Sequence, residues 1–420
     1  MKFTYKHTLA ACYTGYITQA IVNNLSPLLF VTFNRTFGIS LQKIALLISA
    51  NFIVQIIADI CSAKIVDKLG VRKTMVAAHI VSASGLIGLG IFPYIFPDPF
   101  AGLLLSAALC AVGGGIDEVL VSPVVDSLPG DAKASAMSLL HSFYCWGQAG
   151  VVLLSTLFFV LAGIDSWRIL TALWAVVPLI CTFLFAKVPL LPFTEEGDSG
   201  IPLKKLLTSG KFLLFCLLMI SAGASELAVS QWASLFAEKG LGVSKTAGDI
   251  LGPCMFALLM GSARLWYGIF GKKIKLAPVI SASSLLCVLG YGMVVISPIP
   301  WLSLAGCGIC GLSVGIIWPG VFSLASEKYS QGGTSMFAAL ALSGDIGCSA
   351  GPGLAGLFIK ASENGAEWMG KLFPAADAST AGLKTGLLFA AVFPVIMFIG
   401  VKVLKRPNVN TVTSEPNRSD

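Results

Sequence analysis

The sequence predicts an all-α membrane protein in which twelve transmembrane helices form two six-helix halves. Hydrophobic residues make up 56% of its 420 residues and charged residues only 12%, and the mean hydropathy is +0.85. A soluble protein needs more charge on its surface, so these values exclude an ordinary soluble fold. Three further observations give the helices, the topology and the two halves: the apolar runs, the positions of the basic residues and an internal repeat.

Twelve apolar runs are long enough to cross a bilayer, which takes about 20 helical residues. The predicted spans are 8–33, 44–64, 74–95, 100–126, 136–161, 167–187, 211–236, 246–269, 276–297, 300–325, 334–360 and 381–404. An even number of spans places both termini on one side. The first run follows Lys2 and Lys6, as a signal peptide would, but it has no small-residue cleavage site. We therefore interpret it as a retained helix.

Most basic residues lie in connections on one side of these spans. The clusters are Lys64, Lys68, Arg72 and Lys73; Lys204, Lys205 and Lys211; and Arg264, Lys272, Lys273 and Lys275. Positive residues stay on the cytoplasmic side, so we expect a plasma-membrane protein with both termini in the cytoplasm. Because the basic residues stand between apolar runs rather than on one face, the net charge of +7 does not indicate nucleic-acid binding.

The two halves of the chain align without gaps at an offset of 200 residues. Matched pairs include Cys110 and Cys310, Gly115 and Gly315, Ser135 and Ser335, Leu140 and Leu340, and Gly147 and Gly347. The repeat predicts an N-terminal half, 1–188, and a C-terminal half, 211–404, joined by a cytoplasmic linker, 189–210, and followed by a tail, 405–420. Parallel repeats of this kind bind their substrate between the halves, near the middle of the membrane.

The connection between the second and third spans, residues 63–73, reads AKIVDKLGVRK. It resembles the motif that transporters of the major facilitator superfamily carry at this place, although Ala63 and Val71 depart from it. The matching positions are Asp67, Gly70, Arg72 and Lys73. The resemblance implies a transporter rather than an enzyme, and it implies that these residues act at a cytoplasmic gate together with Arg264 of the second-half copy.

Within that superfamily, the sequence is similar to the fucose permease branch of sugar and proton symporters. In GGGIDEVLVSP, residues 113–123, Glu118 stands where the branch has its functional carboxylate. The first span has the Asn23 and Asn24 of the branch pattern, but Pro27 replaces its aspartate. Because the first and seventh helices face each other in this architecture, we expect Glu226 in the seventh span to supply the missing carboxylate.

Acidic residues inside apolar spans are the main candidates for a site, because a charge at membrane depth costs about 3 kcal/mol or more. We prefer Glu118 to Asp117, which points about 100° away around the helix and is expected to contact a neighbouring helix. Asp345 could hold either a cation or a proton. Asp59 is expected to be a gate or structural residue.

Other polar and aromatic residues inside the spans are candidates for binding the solute. His141 could relay protons or simply form hydrogen bonds. Asn23, Asn24 and Gln148 offer the donors and acceptors that sugar hydroxyls need. Trp232 could form a wall against a sugar or pack in the core.

We therefore expect a proton-coupled transporter of a small polar solute, a sugar, with a proton-driven exporter of amphipathic or cationic compounds as the alternative. A non-transporting sensor or scaffold is the second alternative. No GxxxxGK[ST] loop for nucleotide phosphates occurs, so we expect a gradient to drive transport and no cofactor. The 11 cysteines are scattered through apolar segments, and Cys307 and Cys310, a CxxC by spacing, lack the second ligand pair that a zinc site needs. The expected partners are the solute, protons and the bilayer, bound by a monomer.

Overall fold

The computed structural model describes residues 3–129, 133–191, 201, 203–270, 275–329 and 333–404. Within these ranges all regular structure is helical, which confirms the predicted all-α class. Residues 192–200 and 202 of the predicted linker, and the whole predicted tail, 405–420, lie outside the described residues.

The first half contributes six spans, which we number span 1 to span 6. Span 1 consists of Tyr5–Asn24, the 3-10 turn Ser26–Leu29 and Phe30–Phe37; spans 2 to 5 are Leu41–Leu69, Val71–Ile95, Pro99–Ser127 and Lys133–Ala162; and span 6 consists of Ile164–Ser166, Trp167–Trp174 and Val176–Lys187. Span 1 breaks where Pro27 stands in the 3-10 turn, because proline cannot donate the backbone bond that an α-helix needs.

The second half begins with the short helix Leu203–Leu207, inside the predicted linker, and continues with six more spans. Span 7 consists of Gly210–Ser230, Ala233–Leu235 and the π-helical Phe236–Gly240; span 8 of Lys245–Asp249, the π-helical Ile250–Cys254 and Met255–Phe270; spans 9 to 11 are Leu276–Ile296, Pro300–Lys328 and Gly333–Glu363; and span 12 consists of Ala378–Ala390 and Val392–Leu404. The short helix Glu367–Leu372 lies between spans 11 and 12.

Ten helical segments in the described part of the chain are long and apolar enough to cross a membrane. The other two spans are the broken span 1 and span 11, which packs along spans 2, 7 and 12. The predicted twelve-helix fold is confirmed. The helices extend beyond the apolar runs, as in span 2, which covers Leu41–Leu69 rather than 44–64, because polar residues at a helix end do not stop the helix.

The sequence repeat has a counterpart in the packing of the helices. A Cβ at Gly85 would lie 2.7 Å from both the backbone nitrogen and Sγ of Cys110, and a Cβ at Gly290 would lie 2.7 Å from Sγ of Cys310. Spans 3 and 4 therefore approach each other as closely as spans 9 and 10 do, through a glycine on one helix and the repeated cysteine on the other. Glycine permits such close helix contacts in membrane proteins.

The halves meet directly where span 2 packs against span 11. We call the end of the molecule that carries residues 63–73 the basic end, and the other end the opposite end. Towards the opposite end, Gly356 leaves no room for a Cβ against Ala45, and a Cβ at Gly353 would lie 3.0 Å from Oγ of Ser49. Small residues thus bring the two helix backbones together on this side of the molecule.

Candidate functional site

Polar and charged side chains from both halves form a network of contacts between the spans, which we call the polar layer. Its members are Tyr16, Gln19, Gln55, Asp59, Glu118, His141, Tyr144, Glu226, Arg264 and Asp345. Glu118 in span 4 and Arg264 in span 8 lie at similar depth, because each is equally many residues from the start of its span, Pro99 or Lys245. Groups of the two halves lie close enough in this layer to interact electrostatically.

Glu118 lies on the first half's side of the polar layer and is partly exposed. Its Oε2 accepts hydrogen bonds from Nε2 of Gln19 in span 1 and, at 2.7 Å, from Nε2 of Gln55 in span 2. Charge-assisted bonds of this kind are stronger than bonds between neutral groups. Three spans of the first half therefore hold one carboxylate in place, and the sequence motif pointed to that carboxylate but not to its two amide partners.

Asp117 points away from the polar layer into the packed interior of the first half, where only 2% of it is exposed. Its Oδ1 lies 3.5 Å from Nε2 of His79 in span 3, and a Cβ at Gly15 in span 1 would lie 3.0 Å from its Oδ2. The other ring nitrogen of His79 lies 2.8 Å from the Met75 carbonyl oxygen, to which it must donate. Asp117 thus contacts neighbouring helices, and His79 was not among the predicted site residues.

Arg264 lies inside the helix Met255–Phe270, not in the connection that follows it. The prediction that it belongs to the basic loop is wrong, because the helix continues past it for more than a turn. Its role at a gate stays a prediction. Its Nη2 lies 3.5 Å from Oε2 of Glu226 and 3.7 Å from Sδ of Met260. The guanidinium also faces the phenol groups of Tyr16 and Tyr144 in the first half.

Asp345 in span 11 and Asp59 in span 2 lie close enough for their carboxyl groups to interact electrostatically across the two halves. Glu118 lies near both of them. The Oδ1 atom of Asp59 is buried without a hydrogen-bond partner, close to the position that a Cβ of Gly115 would occupy. Sequence reasoning named both aspartates separately, but nothing in the sequence indicated that they lie close together.

His141 in span 5 is exposed and contacts Tyr16 across the first half. Its Nδ1 lies 3.3 Å from the Tyr16 hydroxyl oxygen, which in turn lies 3.2 Å from Oγ of Ser122. The rings of His141 and Tyr16 meet edge to face at 5.2 Å. A chain of hydroxyl and imidazole groups therefore leads from the polar layer along spans 1, 4 and 5.

A second polar network joins the halves at the opposite end, and sequence reasoning missed it. Its centre is Asp249, which is fully buried. The carboxylate pairs with Nζ of Lys245 at 3.1 Å and accepts hydrogen bonds from Thr156 in span 5 at 3.3 Å and from Ser234 in span 7 at 2.5 Å. Lys245 also donates to the backbone carbonyl oxygen of Leu28 in span 1 at 2.6 Å. Lysine and aspartate four residues apart at the start of an apolar run were the signal that could have revealed it.

A cavity of about 350 Å³ lies beside this network, between the halves. It is lined by Val31, Thr32, Arg35, Thr156, Phe159, Val160, Ile164, Glu238, Lys245, Thr246 and Asp249. Two further bonds cross the halves here: Lys239 donates to Oδ1 of Asn34 at 2.7 Å, and Gln42 donates to Oε2 of Glu363 at 2.6 Å. The halves are therefore held together at the opposite end.

The profile of the Major Facilitator Superfamily matches residues 12–352. The chain belongs to the major facilitator superfamily. It is therefore a multi-pass membrane transporter of small molecules rather than an enzyme, and the predicted family is confirmed. No curated protein matches this facilitator.

Solved structures of other facilitators share the fold of the whole chain. A bacterial homolog of the human lysosomal transporter Spinster, in an inward-facing and occupied conformation, has a TM-score of 0.72 at 14% identity, covering 95% of this chain and 96% of its own. A D-xylose–proton symporter has a TM-score of 0.71 at 15% identity, and the match covers 92% of this chain and 95% of the symporter. The N162A variant of the Escherichia coli fucose:proton symporter has a TM-score of 0.63 at 15% identity, and the match covers 95% of this chain and 98% of the symporter. These similarities show that this chain has the same fold as the solved facilitators.

The predicted amide ligands of this facilitator are buried between its helices. Asn24 donates to the Ala20 carbonyl oxygen at 2.9 Å and to the Tyr144 hydroxyl oxygen at 3.3 Å. Oδ1 of Asn23 accepts from Asn51 at 3.4 Å, and 2% of Gln148 is exposed. In this conformation Asn23 and Asn24 form hydrogen bonds with neighbouring helices, and Gln148 is buried.

Trp232 has no exposed surface in this conformation of the facilitator. Its Nε1 donates to the Pro352 carbonyl oxygen at 3.4 Å, and its ring centre lies 6.2 Å from that of Phe30. The ring therefore packs between spans 1, 7 and 11 and presents no free face to a solute.

The motif at the basic end of the facilitator fixes helix ends within one half. Gly70 joins spans 2 and 3 with a φ of 77°, which suits glycine because it has no side chain. Arg72 donates from Nη1 to the Phe185 and Ala186 carbonyl oxygens at 2.9 and 3.0 Å, at the negative end of the span 6 helix. Lys73 is exposed. The side chain of Asp67 lies outside the described residues.

The part of this facilitator that the structure describes contains no group of three or more His, Cys, Asp or Glu side chains arranged to hold a metal ion. The CxxC cysteines, Cys307 and Cys310, are buried and unbridged in span 10. Their thiols pack against neighbouring helices, as at Gly290.

Proposed function

We propose that this facilitator moves a small polar solute, a sugar, together with protons by alternating access. The observation that carries the proposal is the setting of Glu118, a partly exposed carboxylate bound by Gln19 and Gln55 in a layer that both halves share. A carboxylate at this depth with polar partners and solvent access can exchange a proton as the site opens and closes.

The charges of the polar layer support coupling to protons. It contains four carboxyl groups, Asp59, Glu118, Glu226 and Asp345, and one guanidinium, that of Arg264. Uncompensated charges of one sign are unfavourable away from water. Protons or a positively charged solute would reduce this excess of negative charge. If the solute is uncharged, only protons can neutralise the carboxylates.

The polar groups of the layer support a sugar as the solute. Gln19 and Gln55 carry amides, and Tyr16 carries a hydroxyl, so the layer offers donors and acceptors that match sugar hydroxyls. The similarity to the fucose permease pattern points the same way.

The arrangement of the halves supports an inward-facing state. Contacts between the halves hold the opposite end closed, through Asp249 and through the packing of Gly356 on Ala45. With the basic end and both termini in the cytoplasm of a plasma-membrane protein, the substrate path then opens inward. In this proposal a single chain acts as a monomer, and the halves 1–188 and 211–404 rock about the linker 189–210.

A proton-driven exporter of cationic compounds is the second candidate, because the excess of carboxylates also favours a positively charged solute. Cationic dyes should then bind where sugars do not. The sensor or scaffold alternative has no observation in its favour, since the superfamily consists of transporters.

Ligand-dependent thermal stability of the purified protein tests the proposal. A bound solute stabilises the folded state, by about 2.7 kcal/mol at 100 times its Kd. A panel of neutral hexoses and pentoses and a panel of cationic dyes are compared at two pH values. We expect one or more sugars to raise the melting temperature in a pH-dependent manner. Stabilisation by cationic dyes alone would support the exporter.

Uptake of the stabilising sugar into proteoliposomes then tests coupling. We expect a pH gradient to drive accumulation in wild type and not in Glu118→Gln, which still exchanges sugar across the membrane. The matched control is Asp165→Asn, which neutralises an exposed acid in the 3-10 turn Ile164–Ser166 at the start of span 6. Gradient-driven accumulation by Glu118→Gln equal to that of wild type would contradict the role of this carboxylate.

A further inference from the structure

The cavity of about 350 Å³ beside Asp249 is continued by a second cavity of about 490 Å³. The two share Val31, Arg35, Glu238 and Lys245 as lining residues. Both volumes are in the range of small-molecule sites, about 300–1,000 Å³. Neither cavity is lined by a member of the polar layer, so a ligand bound here would lie apart from the proposed solute site.

The side chains around these two cavities carry more positive than negative charge. Three cations, Arg35, Lys239 and Lys245, face two carboxylates, Glu238 and Asp249, which leaves a net charge of +1. Lys245 pairs with both carboxylates, at 3.5 and 3.1 Å. Among the residues that the structure describes, neither Arg35 nor Lys239 has a carboxylate within ion-pair distance. These two cations are therefore available to an anion.

The two available cations come from different halves and lie side by side. Arg35, near the end of span 1, is exposed, and Lys239 in span 7 donates to Oδ1 of Asn34, the residue next to Arg35, at 2.7 Å. The carboxylates of Glu238 and Asp377 attract them from beyond ion-pair distance. A phosphate group can accept hydrogen bonds from a guanidinium and an ammonium together. A phosphate bound here would therefore bridge the halves.

The first cavity reaches the lipid-facing side of span 5. Val160 lines this cavity and is 60% exposed. Leu157 and Leu153, about one and two turns away on the same helix face, are also exposed. An apolar stripe thus leads from the charged cavity towards the middle of the membrane. This arrangement suits a ligand that has an anionic head and an apolar tail.

The charged groups of the cavities lie at the ends of spans, where lipid headgroups are found. Lys245 begins span 8, and Arg35 lies in the last turn of the helix Phe30–Phe37. Ile164, which also lines the first cavity, begins span 6. Basic pockets between spans at this level bind lipid headgroups. A soluble anion would gain nothing from the apolar stripe, so the structure favours a lipid.

We propose that these cavities bind the phosphate headgroup of an anionic membrane lipid, whose acyl chains lie along the exposed face of span 5. The headgroup contacts Arg35 of the first half and Lys239 of the second. When the halves separate at the opposite end, the two cations move apart and the lipid loses one of them. A ligand shifts an equilibrium towards the state that it binds more tightly, so the lipid stabilises the state in which this end is closed.

Thermal unfolding of the full-length protein in a neutral detergent tests the site. Phosphatidylglycerol, with one net negative charge, is compared with phosphatidylcholine, which has none, at matched acyl chains. We expect phosphatidylglycerol to raise the melting temperature of wild type more than phosphatidylcholine does. Native mass spectrometry of the same samples measures lipid affinity. Arg35→Gln and Lys239→Gln should each lower the affinity for phosphatidylglycerol about tenfold, because each removes a charge-assisted hydrogen bond.

Lys371→Gln is the matched control, because it neutralises an exposed lysine at the same end, in the helix Glu367–Leu372, that lines neither cavity. It should bind phosphatidylglycerol as wild type does. Equal affinity for the two lipids, or an equal loss in Lys371→Gln, would overturn the proposed site. Inorganic phosphate and glycerol phosphate are tested in parallel. Stabilisation by either one equal to that by phosphatidylglycerol would assign the cavities to a soluble anion and overturn the lipid.

Hydrogen–deuterium exchange tests whether the lipid closes the opposite end. Amides in 26–35 and 236–249 should exchange more slowly with phosphatidylglycerol than with phosphatidylcholine in wild type, but equally in the double variant Arg35→Gln, Lys239→Gln. Binding of phosphatidylglycerol to wild type without slower exchange would reject the closing role.

The inference goes beyond the proposed function and depends on neither the sugar nor the proton. A lipid preference in a protein that takes up no sugar would keep this site and reject the sugar. Sugar uptake driven by a pH gradient, without any preference between the two lipids, would keep the function and reject this site.

Discussion

Gln231 in the second half donates a hydrogen bond from Nε2 to the backbone carbonyl oxygen of Asn23 in the first half, at 3.2 Å. That carbonyl lacks its helical partner, because the residue four positions along the chain is Pro27, which has no N–H. The break in span 1 thus provides an acceptor for the other half. A buried carbonyl group needs such a partner.

Replacing Gln231 with leucine should leave the Asn23 carbonyl unpaired and lower the free energy of unfolding by about 1–3 kcal/mol. The measurement is denaturant or thermal unfolding of the purified protein in detergent. Pro27→Ala supplies the missing N–H, so Gln231→Leu should cost less in that background. Pro99→Ala, at the first turn of span 4, is the control background. Equal costs in the wild-type and Pro27→Ala backgrounds would contradict this account.

Replacing Asp249 with asparagine should loosen the opposite end. The change removes the ion pair with Lys245 and weakens charge-assisted bonds worth about 1.5–3 kcal/mol each. Hydrogen–deuterium exchange with mass spectrometry should show amides in 26–35 and 236–249 exchanging about tenfold faster or more, since 1.4 kcal/mol is a factor of about ten.

Asp165→Asn is the control for the Asp249 experiment, because it neutralises an exposed acid near the same end without touching the network. Amides in the helix Leu276–Ile296 should keep their wild-type exchange in both variants. Unchanged exchange of 26–35 and 236–249 in Asp249→Asn would show that the network does not hold this end closed.

Adding a methyl group at Gly356 should destabilise the contact between spans 2 and 11. Its Cβ would overlap that of Ala45, and overpacking of this kind costs about 1–3 kcal/mol. Thermal unfolding of Gly356→Ala measures the loss. Adding Ala45→Gly should restore most of it, because the methyl group then moves from one helix to the other. Gly370→Ala, where a Cβ meets open space, is the control, and a double variant as unstable as Gly356→Ala would refute the contact.

Replacing one partner of the ion pair between Arg264 and Glu226 should lower the free energy of unfolding more than replacing both partners. Arg264→Met leaves Glu226 largely buried without its partner, and such uncompensated charges cost about 3–5 kcal/mol. The double variant Arg264→Met, Glu226→Gln should recover most of that stability. Melting temperatures of wild type, both single variants and the double variant measure the coupling. Additive losses would mean that the two side chains do not act as a pair.

The sequence predicted the parts of this molecule that depend on local pattern. Apolar runs gave the spans, and the repeat paired Cys110 with Cys310, which the structure places in matching contacts. The motif in span 4 singled out Glu118, and the helical angle separated it from Asp117. These features follow from the order of residues along one helix.

The sequence did not predict which side chains meet across helices. The proximity of Asp59 and Asp345 depends on how spans from different halves pack, and neither residue has a neighbour in sequence that reveals it. Arg264 was assigned to the basic loop because charge alone does not mark where a helix ends. Trp232 was a candidate wall because apolar spans give no sign of which face is covered by another helix.

The packing of Gly356 against Ala45 has a consequence for the kinetics of transport. Small residues do not interdigitate with the facing helix. Two helices that meet through small residues can therefore separate without first withdrawing long side chains from the partner. In the proposed rocking motion we therefore expect spans 2 and 11 to part easily, and we expect the activation barrier to lie mainly in the few polar bonds that cross the halves. The turnover rate should then respond more to a change in one of those bonds than to a change in the area of apolar contact.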